Sequence, residues 1–291
     1  MLARPRFILP KEAPRCANSA TSTAKAKWYL NAANYAEELF SDAARRSTID
    51  VLKPLSNQPP EPHEITPVQR LVFTCAPGLV RWIARRHQQD VHWGQVVPIE
   101  DALQVVDMLD WVVRLPCVCR AMATGDRNAR YCFGIGVAPT EEPMRRMFRE
   151  AFDPSLSLET LTQEQAREAL VDLDRRGAMH SVWTFKSPFI GGLCNCDRDC
   201  GAYRGQMQWK FQSMFRAEYV AQVDADKCTG CRRCMRQCLF GAMGFSLSQE
   251  RCGVNEMACY GCGVCRAACE HQAISLKPRE AVPMAANLWG I

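Results

Sequence analysis

The chain lacks a surplus of either charge: 36 Lys+Arg face 31 Asp+Glu, a formal +5 over 291 residues. Its charged fraction of 23% beside 47% apolar residues excludes a disordered tail protein, and the length allows one large domain or two ordinary ones. No run approaches the roughly 18 apolar residues that a membrane span needs. The opening, MLARPRFILP, holds only a short apolar stretch between prolines and predicts no secretory leader. There is no GKS/T phosphate loop, no H-E-x-x-H and no G-x-S-x-G. Gly134-x-Gly136 has Pro139 where a third glycine would stand, which leaves dinucleotide binding weakly supported. The five histidines (His63, His87, His92, His180, His271) are scattered and read as surface or capped core residues rather than catalysts. The pairs Arg45-Arg46, Arg85-Arg86 and Arg145-Arg146 are separated and attach to no recognition motif, so no nucleic-acid partner is expected.

What the chain has is sulfur. Its 17 cysteines are an odd number, which rules out a complete set of intramolecular disulfides. Thiols at this density are most simply metal ligands in a reducing compartment, here the cytoplasm. Their placement divides the chain. Residues 1–115 hold Cys16 and Cys75; residues 116–218 hold Cys117, Cys119, Cys132, Cys194, Cys196 and Cys200; the block 219–279 holds the other nine. A helical N-terminal region, a middle cysteine module, a C-terminal cysteine module and a tail over 280–291 follow from this spacing.

In the N-terminal region Trp28, Ala32, Tyr35, Ala36, Leu39, Phe40 and Ala43 fall on one helical stripe within 22–46. A Pro-rich connector leads to two further predicted helices, 68–86 and 99–114, the second ending where Leu115-Pro116 delivers the chain to Cys117. Thr162-x-x-Gln165 is a capping-box pattern, Ala166, Leu170 and Leu173 form a stripe, and Arg175-Arg176-Gly177 supplies a basic last turn and a stop. Together they predict a helix over 163–176, followed by a strand over 181–185. The fold class expected is α+β, with mainly helical N-terminal and middle regions.

The C-terminal block is an internal repeat. Cys228, Cys231, Cys234 and Cys238 recur as Cys259, Cys262, Cys265 and Cys269, each 31 residues on, and the same offset relates Val223 to Val254, Gly230 to Gly261 and Ala242 to Ala273. Two copies of strand, ligand loop, short helix and strand are implied. Each copy reads C-x-x-C-x-x-C-x-x-x-C, in which three closely spaced thiolates wrap one small cuboidal cluster while the fourth is turned toward the other copy's cluster. One [4Fe–4S] is predicted on Cys228, Cys231, Cys234 and Cys269, and another on Cys259, Cys262, Cys265 and Cys238. Glycines between the ligands (Gly230, Gly261, Gly263) let the loop curl and aim N–H groups at sulfur. Structural zinc is the competing use of paired knuckles, but the third close thiolate in each run argues against it.

The segments VDADKCTGCRRCMRQCLFGAM and VNEMACYGCGVCRAACEHQAISL resemble a bacterial-type two-[4Fe–4S] ferredoxin, which forms a small pseudo-twofold βαβ-βαβ module. Leu239 and Glu270 stand where that family has proline after the fourth cysteine; proline donates no ligand, so potential and rigidity are affected rather than ligation. The resemblance implies one-electron transfer between protein partners.

Cys117-x-Cys119-Arg120, Cys132 and Cys194-Asn195-Cys196-x-x-x-Cys200 look like the CxCR and CNCDxDC elements that precede a ferredoxin module in a family of multi-cluster 4Fe–4S proteins. A third [4Fe–4S] is expected here, on Cys117, Cys119, Cys194 and Cys196, with Cys132 and Cys200 as alternates; zinc and unligated thiols are the competing readings. Asp197, Arg198 and Asp199 are either outer-sphere groups or a solvated turn. Cys16, Cys75 and Cys252 lack ligand spacing, and Cys75 and Cys252 are read as buried free thiols.

The function expected is an electron-transfer protein or subunit with no catalytic residue of its own, serving a redox partner protein or oxidoreductase complex. The tryptophans (Trp28, Trp82, Trp93, Trp111, Trp183, Trp209) suggest a docked subunit. The alternatives are an oxidoreductase with substrate at the middle cluster and an Fe–S redox sensor. Each [4Fe–4S]²⁺ with four thiolates carries about −2, so three would bring the +5 chain to about −1. The basic balance then compensates the chain's own cofactors.

Overall fold

The computed structural model describes residues 27–39, 92–151, 158–186, 188–208 and 212–288, together with Cys75 and Gly78. Its main element is a mixed seven-stranded sheet of β1 (Gly94–Val97), β2 (Trp111–Leu115), β3 (Cys132–Gly136), β4 (Glu159–Leu161), β5 (Met179–Thr184), β6 (Ile190–Cys196) and β7 (Met214–Phe215), in the order β4-β2-β3-β6-β5-β1-β7. Every pairing is antiparallel except β1 with β7. The sheet takes strands from both sides of residue 115.

The expectation of a mainly helical middle region is thereby corrected. Helices do occur, as α1 (Ile99–Asp107), α2 (Val118–Thr124), α3 (Glu142–Ala151), α4 (Gln163–Arg175) and α5 (Gly201–Met207), but they dress the sheet. The predicted helix over 99–114 stops at Asp107. Its apolar stripe continues through Leu109, but Trp111-Val112-Val113 is bulky and β-branched, and those side chains are buried on a strand. The stripe over 22–46 is not one helix where it is described. Trp28–Leu30, Ala32–Tyr35 and Glu37–Leu39 are separate 3-10 turns. Asn31 accepts from Ala33 N and Asn34 donates to Trp28 O, local bonds that compete with a helix ladder. Tyr29 and Tyr35 are fully buried in the main core. The predicted 68–86 helix lies outside the described residues apart from Cys75 and Gly78, both helical. Cys75 is exposed rather than buried.

The 163–176 prediction matches α4, whose capping box is complete: Gln165 N donates to Thr162 Oγ1 at 3.2 Å and Thr162 N to Gln165 Oε1 at 2.9 Å. Ala166, Leu170 and Leu173 turn into the main core beside Val105, Val112, Phe133 and Leu193. The strand expected over 181–185 is β5, beginning earlier at Met179.

Two tryptophans lie over glycines on neighbouring strands. Trp183 pairs directly with Gly94, and Trp111 with Gly136. A Cβ on either glycine would stand 2.5 Å or 2.3 Å from the indole. Gly136 is therefore bare to admit Trp111. Both indoles are spent on the sheet's own packing (Trp111 9%, Trp183 4% exposed), so these two do not supply a docking surface.

The C-terminal repeat folds as β8 (Tyr219–Val223), α6 (Arg233–Gln237) and β9 (Met243–Ser246), then β10 (Arg251–Val254), α7 (Val264–Ala267) and β11 (Ile274–Pro278). The outer strands of the two copies pair antiparallel, β8 with β11, and so do the inner ones, β9 with β10. Exchanging the copies leaves this pattern unchanged. The tail begins packed, with Val282 and Ala285 buried against the repeat.

Gly136→Ala is expected to destabilise the fold by about 1–3 kcal/mol through overpacking against Trp111, and Thr162→Ala by about 1 kcal/mol through loss of the cap. The urea midpoints of the two variants measure both. An unchanged midpoint for Gly136→Ala would show that the indole yields freely.

Candidate iron–sulfur site

The sheet brings the middle cysteines to one end. β2 ends at Leu115 and hands the chain to Cys117, the N-cap of α2, with Cys119 in the first turn. Cys132 opens β3 opposite Leu115 on one side and opposite Cys194 of β6 on the other. Cys196 closes β6, and Cys200 is the N-cap of α5.

The six sulfurs form two contacting trios, Cys117–Cys132–Cys194 and Cys119–Cys200–Cys196, each within the electrostatic reach of the other. Cys132 Sγ donates to Cys117 Sγ at 3.5 Å and is in hydrogen-bonding contact with Cys194. Cys119 Sγ lies 3.6 Å from Cys200 Sγ, which lies 2.9 Å from Cys196 Sγ. The contact with Cys200 pulls the Cys196 pKa down, while burial and the nearby sulfurs of Cys194, Cys119 and Cys132 push it up, to about 12. The four cysteines predicted as ligands and the two alternates thus share one locus.

Arg120, the residue after Cys119, is buried and donates Nη2 to Asp197 Oδ1 at 2.6 Å. Its guanidinium lies 4.5 Å from the Tyr131 ring centroid. This pair ties the two cysteine clumps together, a role the sequence left open between outer-sphere group and solvated turn. Gly201 lets α5 seat against α2, since a Cβ there would come within 2.3 Å of Cys119 O.

In the C-terminal repeat, sulfurs group across the copies. Cys228, Cys231, Cys234 and Cys269 line one small cavity, with Thr229, Cys252 and His271 among its walls. Cys265 lies in the field of Cys259 and Cys238, and Cys262 in that of Cys265, Cys259 and Cys238. Burial, then those neighbouring sulfurs, pushes the Cys265 thiol up to about 12. Backbone N–H groups aim at sulfur: Ala221 and Gly261 at Cys259 (both 3.4 Å), Ala242 at Cys238 (3.2 Å), Ala273 at Cys269 (3.3 Å). The loops that allow this turn through Gly230 (φ +70°) and Gly261 (φ +72°), where a Cβ would strike Glu250 O at 2.3 Å and Tyr219 O at 2.1 Å. Among the described residues, no group of three or more His, Cys, Asp or Glu side chains is arranged to hold a single metal ion.

Leu239 and Glu270, after the fourth cysteines, have distinct uses. Leu239 is buried in the core shared with the sheet, and Glu270 pairs with Arg233 of the other copy.

Arg279 was not singled out from sequence. It is fully buried, donating Nε to Ala217 O (2.7 Å) and Nη2 to Tyr219 O (2.8 Å) and Cys259 O (2.9 Å). Its Nη1 has no hydrogen-bond partner and the side chain makes no ion pair among the described residues. Burial lowers its pKa to about 10, so it is a cation at neutral pH. A buried guanidinium beside Cys259 fits an anionic sulfur-bound group there.

The two sites share a core. Cys196, Cys200, Leu239, Phe240, Tyr260, Cys262 and Met214 belong to one buried cluster. Tyr203 of α5 donates its hydroxyl to Leu239 O (2.5 Å) and meets Phe240 edge-on at 6.0 Å, and Phe240 stacks on Tyr260 at 3.8 Å. Arg198, between Cys196 and Cys200, donates to Cys238 O at 3.0 Å.

Buried thiols gathered around N–H donors and a buried guanidinium are the chemistry an iron–sulfur centre uses. The comparisons agree. Residues 220–243 match a 4Fe-4S binding domain, so the chain binds at least one [4Fe–4S] cluster. The chain is also similar to an archaeal NADPH glutamate synthase of Archaeoglobus fulgidus, 29% identical over 72 residues, which are 25% of this chain and 14% of that protein. Among the described residues no helix is long and apolar enough to cross a membrane.

Stripping iron with a chelator is expected to leave Arg279 as a buried charge without an anionic group at Cys259, a loss of up to about 3–5 kcal/mol, read as a fall in the thermal midpoint. Arg279→Met should shrink that fall. An equal fall in both proteins would assign the loss to the thiols alone.

Proposed function

We propose that this chain is an electron-transfer protein or subunit that passes single electrons to or from a redox-enzyme partner. Cys228, Cys231, Cys234 and Cys269 would hold one [4Fe–4S] cluster, and Cys259, Cys262, Cys265 and Cys238 a second, in a dicluster module of the bacterial ferredoxin type over 219–279. A third would sit among the six middle thiols on Cys117, Cys119, Cys194 and Cys196, with Cys132 and Cys200 as alternates. Bound clusters of this type supply reversible one-electron chemistry, with potentials set by net charge, hydrogen bonds to sulfur and solvent exposure.

The observation that carries this reading is the core linking the two thiol groups. The Tyr203–Phe240–Tyr260 contacts run from the helix after Cys200 to the residues following Cys238 and Cys259. Beside packing the shared core, such a contact path would bring two centres close enough to exchange electrons. At the far end of the module Cys231 is exposed, which suits entry or exit of electrons at the Cys228–Cys269 group. Similarity to an NADPH glutamate synthase supports a redox setting. Cytoplasmic placement and the absence of a nucleic-acid partner remain part of the proposal.

Substrate binding at the middle site is the second reading. It is favoured by one feature: six converging thiols are two more than a four-ligand cluster uses.

Anaerobically purified protein should contain about twelve irons per chain, and Cys262→Ser about four fewer. About eight in the parent would remove the middle cluster. EPR after dithionite reduction is expected to show signals that return on reoxidation and ignore small molecules; a signal altered by a substrate would move the assignment to the enzyme.

A further inference from the structure

The two copies of the repeat agree in their ligand loops and differ in the residues that flank them. Arg216, before β8, and Arg279, after β11, have Leu247 and Ser248 as their counterparts, each 31 residues away. Leu247 (82% exposed) and Ser248 lie on the open turn between β9 and β10. Both arginines are buried, Arg279 completely, and both hold the loop that carries Cys259. Arg216 donates Nη2 to Met257 O at 3.0 Å and sets its guanidinium 4.7 Å from the Tyr260 ring centroid. Arg279 donates to Cys259 O itself.

The two ligand loops therefore have unlike surroundings. At the Cys228 loop, Cys231 is exposed, and so are Lys227, Arg232, Arg233 and Arg236, where water and salt screen each charge. Cys259, Cys262 and Cys265 are all buried. Reduction takes a four-thiolate [4Fe–4S] centre from about −2 to about −3, and away from water a further negative charge is costly. Burial alone would make the inner centre the harder of the two to reduce. A fixed cation in the same dry surroundings acts with little screening and offsets that cost. Arg279 is such a cation: a guanidinium keeps its proton, and Glu218 lies in its field but no carboxylate is in ion-pair contact among the described residues.

We propose that Arg279 is a redox-tuning residue, whose buried charge raises the reduction potential of the inner centre at Cys238, Cys259, Cys262 and Cys265 and keeps it reducible beside the open centre of the other copy. The proposal rests on the dicluster reading above. One electron enters or leaves at a time, no ligand bond forms or breaks, and Arg279 stays protonated in both states. Electrons that arrive at the Cys231 end can then pass to the centre beside the Tyr203–Phe240–Tyr260 contacts rather than stop at the surface.

The test is a potentiometric titration of the full chain, purified anaerobically and followed by EPR. It compares parent, Arg279→Gln and Arg279→Lys, with Cys262→Ser to identify the signal of the open centre. Glutamine keeps a donor for the carbonyls and removes the charge; lysine keeps the charge. At unchanged iron content the inner midpoint should fall in Arg279→Gln while the open one stays, and Arg279→Lys should recover most of the shift. A residue that only braced the loop would not separate the two variants in this way. An unmoved or raised inner midpoint in Arg279→Gln, or an equal fall in Arg279→Lys, would overturn the proposal. Should Arg279→Gln fail to fold or to hold its iron, the parent and Arg279→Lys still decide. Dithionite is expected to reduce both centres in each, and an inner centre left oxidised at full iron content overturns the proposal. A parent protein without two [4Fe–4S] clusters would instead refute the dicluster reading.

Discussion

Sulfur atoms packed side by side in a protein interior resist ionising together, because each thiolate would face its neighbours' charge with no water to screen it. Either the thiols stay protonated or a cationic group among them makes the thiolates favourable together. Much of this structure follows from that demand. Both thiol groups sit where the chain has spared glycines for close approach, at Gly201, Gly230 and Gly261. In the repeat, backbone N–H groups rather than carbonyls face the sulfur. Arg279 is sunk beside Cys259, in the field of Glu218 but with no carboxylate in ion-pair contact among the described residues.

The sheet serves the same demand by register. Antiparallel pairing sets Cys132 opposite Cys194, and because β2 ends where β3 begins, Cys117 and Cys119 reach the same edge. A one-residue slip would turn every side chain of a strand to the other face and scatter the thiols. The Trp111–Gly136 and Trp183–Gly94 pairs oppose such a slip, since each indole fits over one bare Cα. Far from the sulfurs in sequence, these tryptophans help hold them in place.

Parts of this were legible without coordinates. The 31-residue repeat announces two equivalent units, and their paired strands follow it. The α4 helix is written in Thr162, Gln165 and Gly177. The sheet was harder to see. Its strand over 111–115 is buried on both faces apart from Arg114 and reads as a short, nearly continuous apolar run, which periodicity cannot separate from helix. Glycines that make room for tryptophan look, in sequence, like a broken nucleotide motif or a flexible loop. At the middle site the six cysteines were visible but their convergence was not, because it depends on which strand lies beside which. Arg279 carried no signal at all: a single arginine beyond the last strand resembles any surface cation until its burial is known.

The buried cluster that joins Cys196 and Cys200 to Leu239, Phe240, Tyr260 and Cys262 has a mechanical meaning. Electronic coupling falls steeply with separation, so a carrier built from loosely tethered lobes conducts only during the moments when they touch. Here the sheet and the repeat are soldered through one dry seam and cannot part without exposing it to water. In the proposed electron-transfer role, throughput would be governed at the outer contacts, by how long a partner stays bound, while the interior would behave as a fixed resistor.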